Sequence, residues 1–152
     1  MSYQPKIIER EKQYVLSIRT RTAVKDLPAA LGESYGAIAS YLGQLGETPT
    51  GAPFAGYFNM DMQNLDVEIG FPVSKAFPGK GNIQSGRIMG GKFGTCIHTG
   101  PYNAIESAYH ALQHFIGESG FQASGVAYEF YLNDPNETPE AQLQTQILFP
   151  LV

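Results

Sequence analysis

One supersecondary pattern occurs twice in this chain, and that repetition limits the folds open to it. Glu33-Ser34-Tyr35-Gly36-Ala37-Ile38 aligns with Ser107-Ala108-Tyr109-His110-Ala111-Leu112, and Gly70-Phe71-Pro72-Val73 aligns with Leu148-Phe149-Pro150-Leu151. The first copy, about residues 12–73, opens with a strand-like run over residues 14–20. A helix follows, with Asp26 as its cap, Pro28 in its first turn, and Leu27, Leu31, Ile38, Leu42 and Leu45 at helical spacing. Two strands are expected next, over residues 53–59 and 65–73, the second with strict apolar–polar alternation. The second copy, about residues 84–152, begins with one strand over residues 87–99, bent at Gly90-Gly91 and Gly94. Asn103 and Glu106 have capping-box spacing at the start of a helix that ends at Gly117 or Gly120. A strand around Glu129 and a last strand over residues 142–151 complete it. Each copy reads β-α-β-β and is too short to bury its own apolar face. Two copies related by a pseudo-twofold predict a single α+β domain over residues 1–152: an antiparallel sheet, two long helices and a central ligand cleft between the halves.

The repeat also isolates what is not duplicated. Aligned through Asp61 and Asp134, Gly56 takes the place of Glu129, and a shift of one residue puts Tyr57 there instead. Either way the first copy has no acid at that spot. Glu129 stands in the apolar run Val126-Ala127-Tyr128-Glu129-Phe130-Tyr131-Leu132, where an unpaired charge costs several kcal/mol. No Lys or Arg follows Phe93 in the sequence. A carboxylate walled by aromatic rings is a receptor for a cation from outside, and burial raises its pKa when no cation is present. The competing reading is an edge-strand glutamate in water, or one paired with Arg19 or Arg87.

Tyr131 shares the strand parity of Glu129, so both leave the same face. Gln146 and Leu148 are expected as cross-strand neighbours on that face. Tyr102 supplies one wall of the cleft, with Tyr35 and Tyr57 from the first copy opposite; ordinary core packing is the alternative for each ring. Glu68, the first-copy counterpart of Gln146, is either a second acid in the cleft or a solvent-facing strand residue.

Composition narrows the function classes. Hydrophobic residues make up 43% and charged residues 16%, which argues against disorder. A formal net charge of −4 disfavours direct nucleic-acid binding, and residues 1–12 are too short for a helix-turn-helix. There is no 18-residue apolar stretch and no signal-peptide pattern, so neither membrane association nor secretion is expected. The single cysteine, Cys96, excludes an intrachain disulfide and suits a cytoplasmic protein. His110 and His114 are spaced i, i+4, but no third metal ligand accompanies them, and an exposed helix face is the better reading. Cys96 and His98 share one strand face; a buried strand thiol is preferred to a nucleophile–base pair. No metal or cofactor is expected. The glycines at 79, 81, 86, 90, 91 and 94 match no phosphate-binding pattern.

Gly100-Pro101-Tyr102, Ala108-Tyr109, Leu112 and above all Glu129-Phe130-Tyr131-Leu132-Asn133-Asp134-Pro135 give the second copy a resemblance to the GyrI-like effector-binding domains. Pro139-Glu140 and Thr145 to Leu151 continue it, while Asp66 to Val73 carries a looser likeness in the first copy. Such domains, with their SHS2-like repeats, also occur behind DNA-binding domains in bacterial AraC- and MerR-type regulators, the Rob- and BmrR-like proteins. The resemblance implies the duplicated fold and a stand-alone member that binds cationic, amphipathic small molecules, in the manner of multidrug binding, with Glu129 as the buried receptor. It also implies two alternatives. One is hydrolysis of strained cyclopropane-type toxins, with Glu129 as base and Tyr102 or Tyr131 as acid. The other is an interaction protein of the gyrase-inhibitor type; a homodimer is a further possible partner arrangement. Two departures stand out: Gln146 replaces a frequent acid, and Phe115 replaces a common tryptophan.

Overall fold

A computed structural model describes residues 3–152. The chain divides into two compact units, Lys12–Met89 and the pair of segments Met1–Glu11 and Gly90–Val152. We call these the N-terminal and C-terminal units. Both are antiparallel sheet with one long helix, so the α+β class holds.

The N-terminal unit contains β2 (Gln13–Thr22), α1 (Leu27–Gln44), β3 (Phe54–Tyr57), β4 (Leu65–Pro72) and β5 (Gln84–Ile88), while β1 (Lys6–Arg10) belongs to the other unit. Its sheet order is β3-β4-β2-β5. Leu16 and Ile18 of β2 and Ile38, Tyr41 and Leu42 of α1 are buried together with Val73, Phe77 and Ile83. The period-2 pattern of the strands and the helical pattern of α1 therefore meet in one core. Asp26 precedes α1 but makes no side-chain capping bond. A 3-10 turn over Val24–Asp26 leads into the helix instead, and Pro28 occupies its first turn as expected.

The C-terminal unit contains β1, β6 (Gly91–Thr99), α2 (Glu106–Glu118), β7 (Ala127–Tyr131) and β8 (Gln144–Pro150), in sheet order β1-β6-β8-β7. The single bent strand expected over residues 87–99 is in fact two strands. β5 pairs with β2, β6 pairs with β1 and β8, and Gly91 at φ 143° lies where the chain passes from one to the other. The capping box at Asn103 and Glu106 does not form: a 3-10 turn over Tyr102–Ala104 precedes α2, without a side-chain cap. The helix closes at Glu118, with Gly120 beyond it at φ 81°, the left-handed conformation that suits a helix end. Ala108, Leu112 and Ile116 of α2 pack on Cys96, Ala127, Ile147 and Phe149. β1, absent from the sequence expectation, edges this sheet, and its Ile7 packs against the same core.

One glycine in each unit is set by close approach. A Cβ on Gly94 would stand 2.5 Å from Ile116 Cδ1, beneath α2. A Cβ on Gly70 would overlap the Leu16 carbonyl oxygen and lie 2.8 Å from Ser17 Cβ. The first obstacle is a side-chain tip, whereas the second is the backbone of the paired strand, which cannot turn aside. Gly70→Ala is therefore expected to cost about 3 kcal/mol of unfolding free energy. Gly86→Ala, whose Cβ would meet only Val15 Cγ2 at 3.8 Å, should cost less than about 1 kcal/mol. Urea denaturation of the two variants checks the order; equal costs would refute it.

Candidate functional site

β7 reads Ala127-Tyr128-Glu129-Phe130-Tyr131, and its register on β8 sets which side chains share a face. Glu129 opposes Ile147 and Tyr131 opposes Thr145; across β8, Ile147 opposes Cys96 and Thr145 opposes His98. Ile147 and Cys96 belong to the core under α2, so Glu129 and Tyr131 lie on the α2 side of the sheet. Tyr128 and Phe130 take the other side.

Two phenols hold the Glu129 carboxylate. Tyr109, on α2, donates to Oε2, and Tyr131 donates to Oε1 at 3.0 Å. The Tyr109 ring in turn meets Phe149 edge-on at 5.3 Å, and Tyr102 meets Tyr131 edge-on at 5.5 Å. Glu129 keeps some accessible surface, yet desolvation dominates its electrostatics and raises its pKa; the bonds from Tyr109 and Tyr131 and the nearby His98 imidazole offset part of that rise. Tyr102 is 37% exposed; its pKa too is raised, first by burial and then by the charges of Asp134 and Glu129.

His98 stands in the next row of the same face and is almost wholly buried. Its Nε2 lies 3.0 Å from the Pro101 carbonyl, which can only accept, so Nε2 carries the hydrogen. Nδ1 lies 3.2 Å from the Tyr3 hydroxyl, which also meets Ser107 Oγ at 2.7 Å. His98 is thus a buried link between β6, the turn before α2 and the N-terminal segment. Cys96 beside it is a buried thiol, 3.8 Å from the Ala108 carbonyl, with its pKa raised to about 11 by desolvation. That chemistry suits packing, not nucleophilic attack. His110 and His114 are exposed on α2 and lie 3.7 Å and 3.1 Å from Glu106 and Glu118.

Two expected neighbours lie on the opposite face of the sheet. Gln146 opposes Phe130 and Ile97, and Leu148 opposes Tyr128 and Thr95, so both are on the sheet face away from Glu129. This corrects the expectation that they flank the carboxylate: a one-residue error in register inverts every side chain. Gln146 Nε2 donates instead to Thr95 Oγ1 at 3.3 Å, and Leu148 is a core residue. In the N-terminal unit, Ile69 of β4 opposes Ala55 of β3, whereas Ile147 of β8 opposes Glu129. Tyr35, Tyr57 and Glu68 belong to the N-terminal unit. There Tyr35 donates to the Phe54 carbonyl at 2.8 Å, Tyr57 ends β3, and Glu68 accepts from Ser17 Oγ at 2.7 Å. Arg19, a suggested ion partner for Glu129, forms a two-point pair with Asp66 and lies 3.8 Å over the Phe58 ring.

Sequence reasoning missed Tyr109, Tyr3 and Thr145 as members of the site. Tyr109 stood out as a repeat marker and as part of the family resemblance; its spacing from Ile105 and Leu112 signalled the helix face toward the sheet, not its reach to Glu129. Thr145, 0% exposed, has a hydroxyl without a hydrogen-bond partner among the described residues.

The GyrI-like small molecule binding domain family matches residues 3–152, and the chain belongs to it. Among solved structures, the EcmrR–DNA complex is similar with a TM-score of 0.85 and 25% identity, covering 98% of this chain and 57% of that one. The chain thus spans little more than half of that protein. The crystal structure of the EcmrR C-terminal domain matches with a TM-score of 0.76 and 24% identity, covering 100% of this chain and 99% of that one. More distant in sequence are a hydrolase from Listeria innocua (TM-score 0.72, 15% identity, 98% and 92% covered) and SAV2435 bound to tetraphenylphosphonium (TM-score 0.69, 11% identity, 100% and 94% covered). These two show a shared fold. No curated protein matches the sequence. Among the described residues, no helix is long and apolar enough to cross a membrane.

A carboxyl whose folded pKa lies above its unfolded value binds its proton more tightly in the folded state. It weighs nothing on stability below its unfolded pKa of ~4.3 and becomes destabilising as pH rises through the folded value. Glu129→Gln should therefore gain stability relative to the unaltered protein as pH rises from about 4 to about 8. Urea midpoints for both proteins across that range test the assignment, and a difference that stays constant with pH would contradict it.

Proposed function

We propose that this protein binds cationic, lipophilic small molecules, with the Glu129 carboxylate as the charged receptor and the rings of Tyr102, Tyr109 and Tyr131 as its aromatic surround. The observation that carries this reading is the pairing of Glu129 with two neutral phenols under α2, where burial favours its protonated form. A cation arriving there replaces a proton as the neutralising charge. Aromatic faces add about 0.5–2 kcal/mol each for a cation in a desolvated site. Family membership supports small-molecule binding, and SAV2435, which shares the fold, is bound to a lipophilic phosphonium. Gln146 and Leu148, on the opposite face, have no part in this receptor. Tyr35 and Glu68 each make a hydrogen bond within the N-terminal unit, and the receptor as described draws on residues of the C-terminal unit.

We further infer that the two units are copies of one β-α-β-β unit. In support, each places its first repeat strand centrally, with the last repeat strand on one side and an additional strand, β5 or β1, on the other. On this reading Glu129 is a feature of one copy only, with Ala55 at the matching position of the other.

Tetraphenylphosphonium, whose charge does not titrate, is the probe of choice. Glu129→Gln should weaken its binding by about 10- to 100-fold in calorimetry, the worth of one charge contact of roughly 1.4–2.7 kcal/mol. Because the cation displaces a proton, affinity for the unaltered protein should rise with pH and level off above the raised pKa, with protons released to the buffer. Equal binding by Glu129→Gln would sink this function.

A further inference from the structure

The orphan hydroxyl of Thr145 extends the site beyond its single charge. Thr145 sits on the α2 side of β8, directly between Tyr131 on β7 and His98 on β6. Glu129 is its diagonal neighbour, a spacing of about 7–8 Å that long side chains and small ligands bridge. Both flanking residues have their polar atoms committed elsewhere. Tyr131 gives its proton to Glu129, while the His98 nitrogens meet Pro101 and Tyr3. Thr145 Oγ1 is buried and unpaired among the described residues. Valine would fill the same volume with no polar atom to satisfy, whereas a buried unsatisfied hydroxyl costs about 1–3 kcal/mol. The Glu129 carboxylate itself accepts two of the roughly four hydrogen bonds that a carboxylate can take.

Resting on the cation-receptor reading of Glu129, we propose that Thr145 is the second polar contact of the same site and that it selects cations carrying at least two N–H donors, namely protonated primary or secondary amines and amidines. One N–H donates to the carboxylate and the other to Thr145 Oγ1. A tertiary ammonium has a single N–H and serves the carboxylate alone; a quaternary ammonium or phosphonium serves neither hydrogen bond and binds by charge and ring contact. The discrimination therefore resides in the hydroxyl and the affinity in the carboxylate.

The test is a matched series at pH 7: a diarylalkyl methylamine, its N-methyl tertiary homologue, and the corresponding trimethylammonium. Their dissociation constants are measured for the unaltered protein, Thr145→Val, Thr145→Ser and Glu129→Gln. The secondary amine should bind the unaltered protein about five- to tenfold more tightly than the tertiary one, the worth of one hydrogen bond to a charged group. Thr145→Val should bring that ratio to about one while leaving the quaternary compound's affinity unchanged, and Thr145→Ser should restore it. A preference that survives Thr145→Val, or that is missing from the unaltered protein, overturns the role of Thr145 while leaving Glu129 untouched. If Glu129→Gln weakens none of the three ligands, the receptor reading itself fails, and this inference fails with it. Loss of quaternary binding in Thr145→Val would also overturn it, since the hydroxyl would then be acting on the fold and not on N–H recognition.

Discussion

The bonds from Tyr109 and Tyr131 to the Glu129 carboxylate tie a helix to a strand through a desolvated acid. Tyr109 belongs to α2 and Tyr131 to β7, so both the helix position and the strand register must be right for the carboxylate to be satisfied. Burial of Ala108, Leu112 and Ile116 against β6 and β8 supplies the force that brings α2 there. Gly94 lets Ile116 come close enough for that contact. The polar pair of bonds is therefore a consequence of apolar packing, and it in turn spares the core an unsolvated charge without hydrogen bonds. His98 adds a second fastening on the same face by joining the turn at Pro101 to Tyr3.

What the sequence made legible follows from which signals are local. The β-α-β-β order, the helices and the strand around Glu129 were readable because their periodicity lies within single segments. The shared face of Glu129 and Tyr131 was readable for the same reason. Gln146 and Leu148 were misplaced because the register of β8 on β7 depends on the connection at residues 132–143, which is no tight hairpin and fixes no pairing in advance. β1 escaped notice because Lys6-Ile7-Ile8-Glu9-Arg10 is short and charged, and only its pairing with β6 makes it a strand. The expected caps at Asp26 and Asn103 fell to 3-10 turns, which enter both helices without a side-chain bond. The division at Met89–Gly90 was hidden because two adjacent strand-forming runs looked like one. Tyr109 and Thr145 could not be assigned from spacing, since their roles exist only once three strands and a helix are assembled.

The N-terminal unit shows the alternative ways of keeping a carboxylate in a sheet. Asp66 on β4 is paired with Arg19, and its pKa is lowered, with that hydrogen bond as the largest cause. Glu68 takes a hydroxyl bond from Ser17. Asp66 has its charge met by a side chain of the same unit and lies near solvent, where such pairs contribute modestly to stability. Glu129 differs in kind. Its direct partners are phenols, which stabilise the anion by hydrogen bonding but bring no opposite charge.

That difference decides what each acid can do for a ligand. An arginine held on Glu129 would have lowered its pKa and removed any electrostatic gain from a second cation. Neutral donors leave the gain intact, at the cost of a carboxyl whose pKa burial raises. Proton and ligand then compete for one carboxylate, and the better-solvated competitor loses advantage as the site becomes more apolar. On the proposed cation-receptor function, lipophilic cations are favoured because their rings and alkyl groups replace water that a small hydrated ion would need to keep. Rings surrounding a single charge impose little shape, so such a receptor discriminates weakly unless a further polar atom is present. Thr145 is the buried hydroxyl in position to provide it.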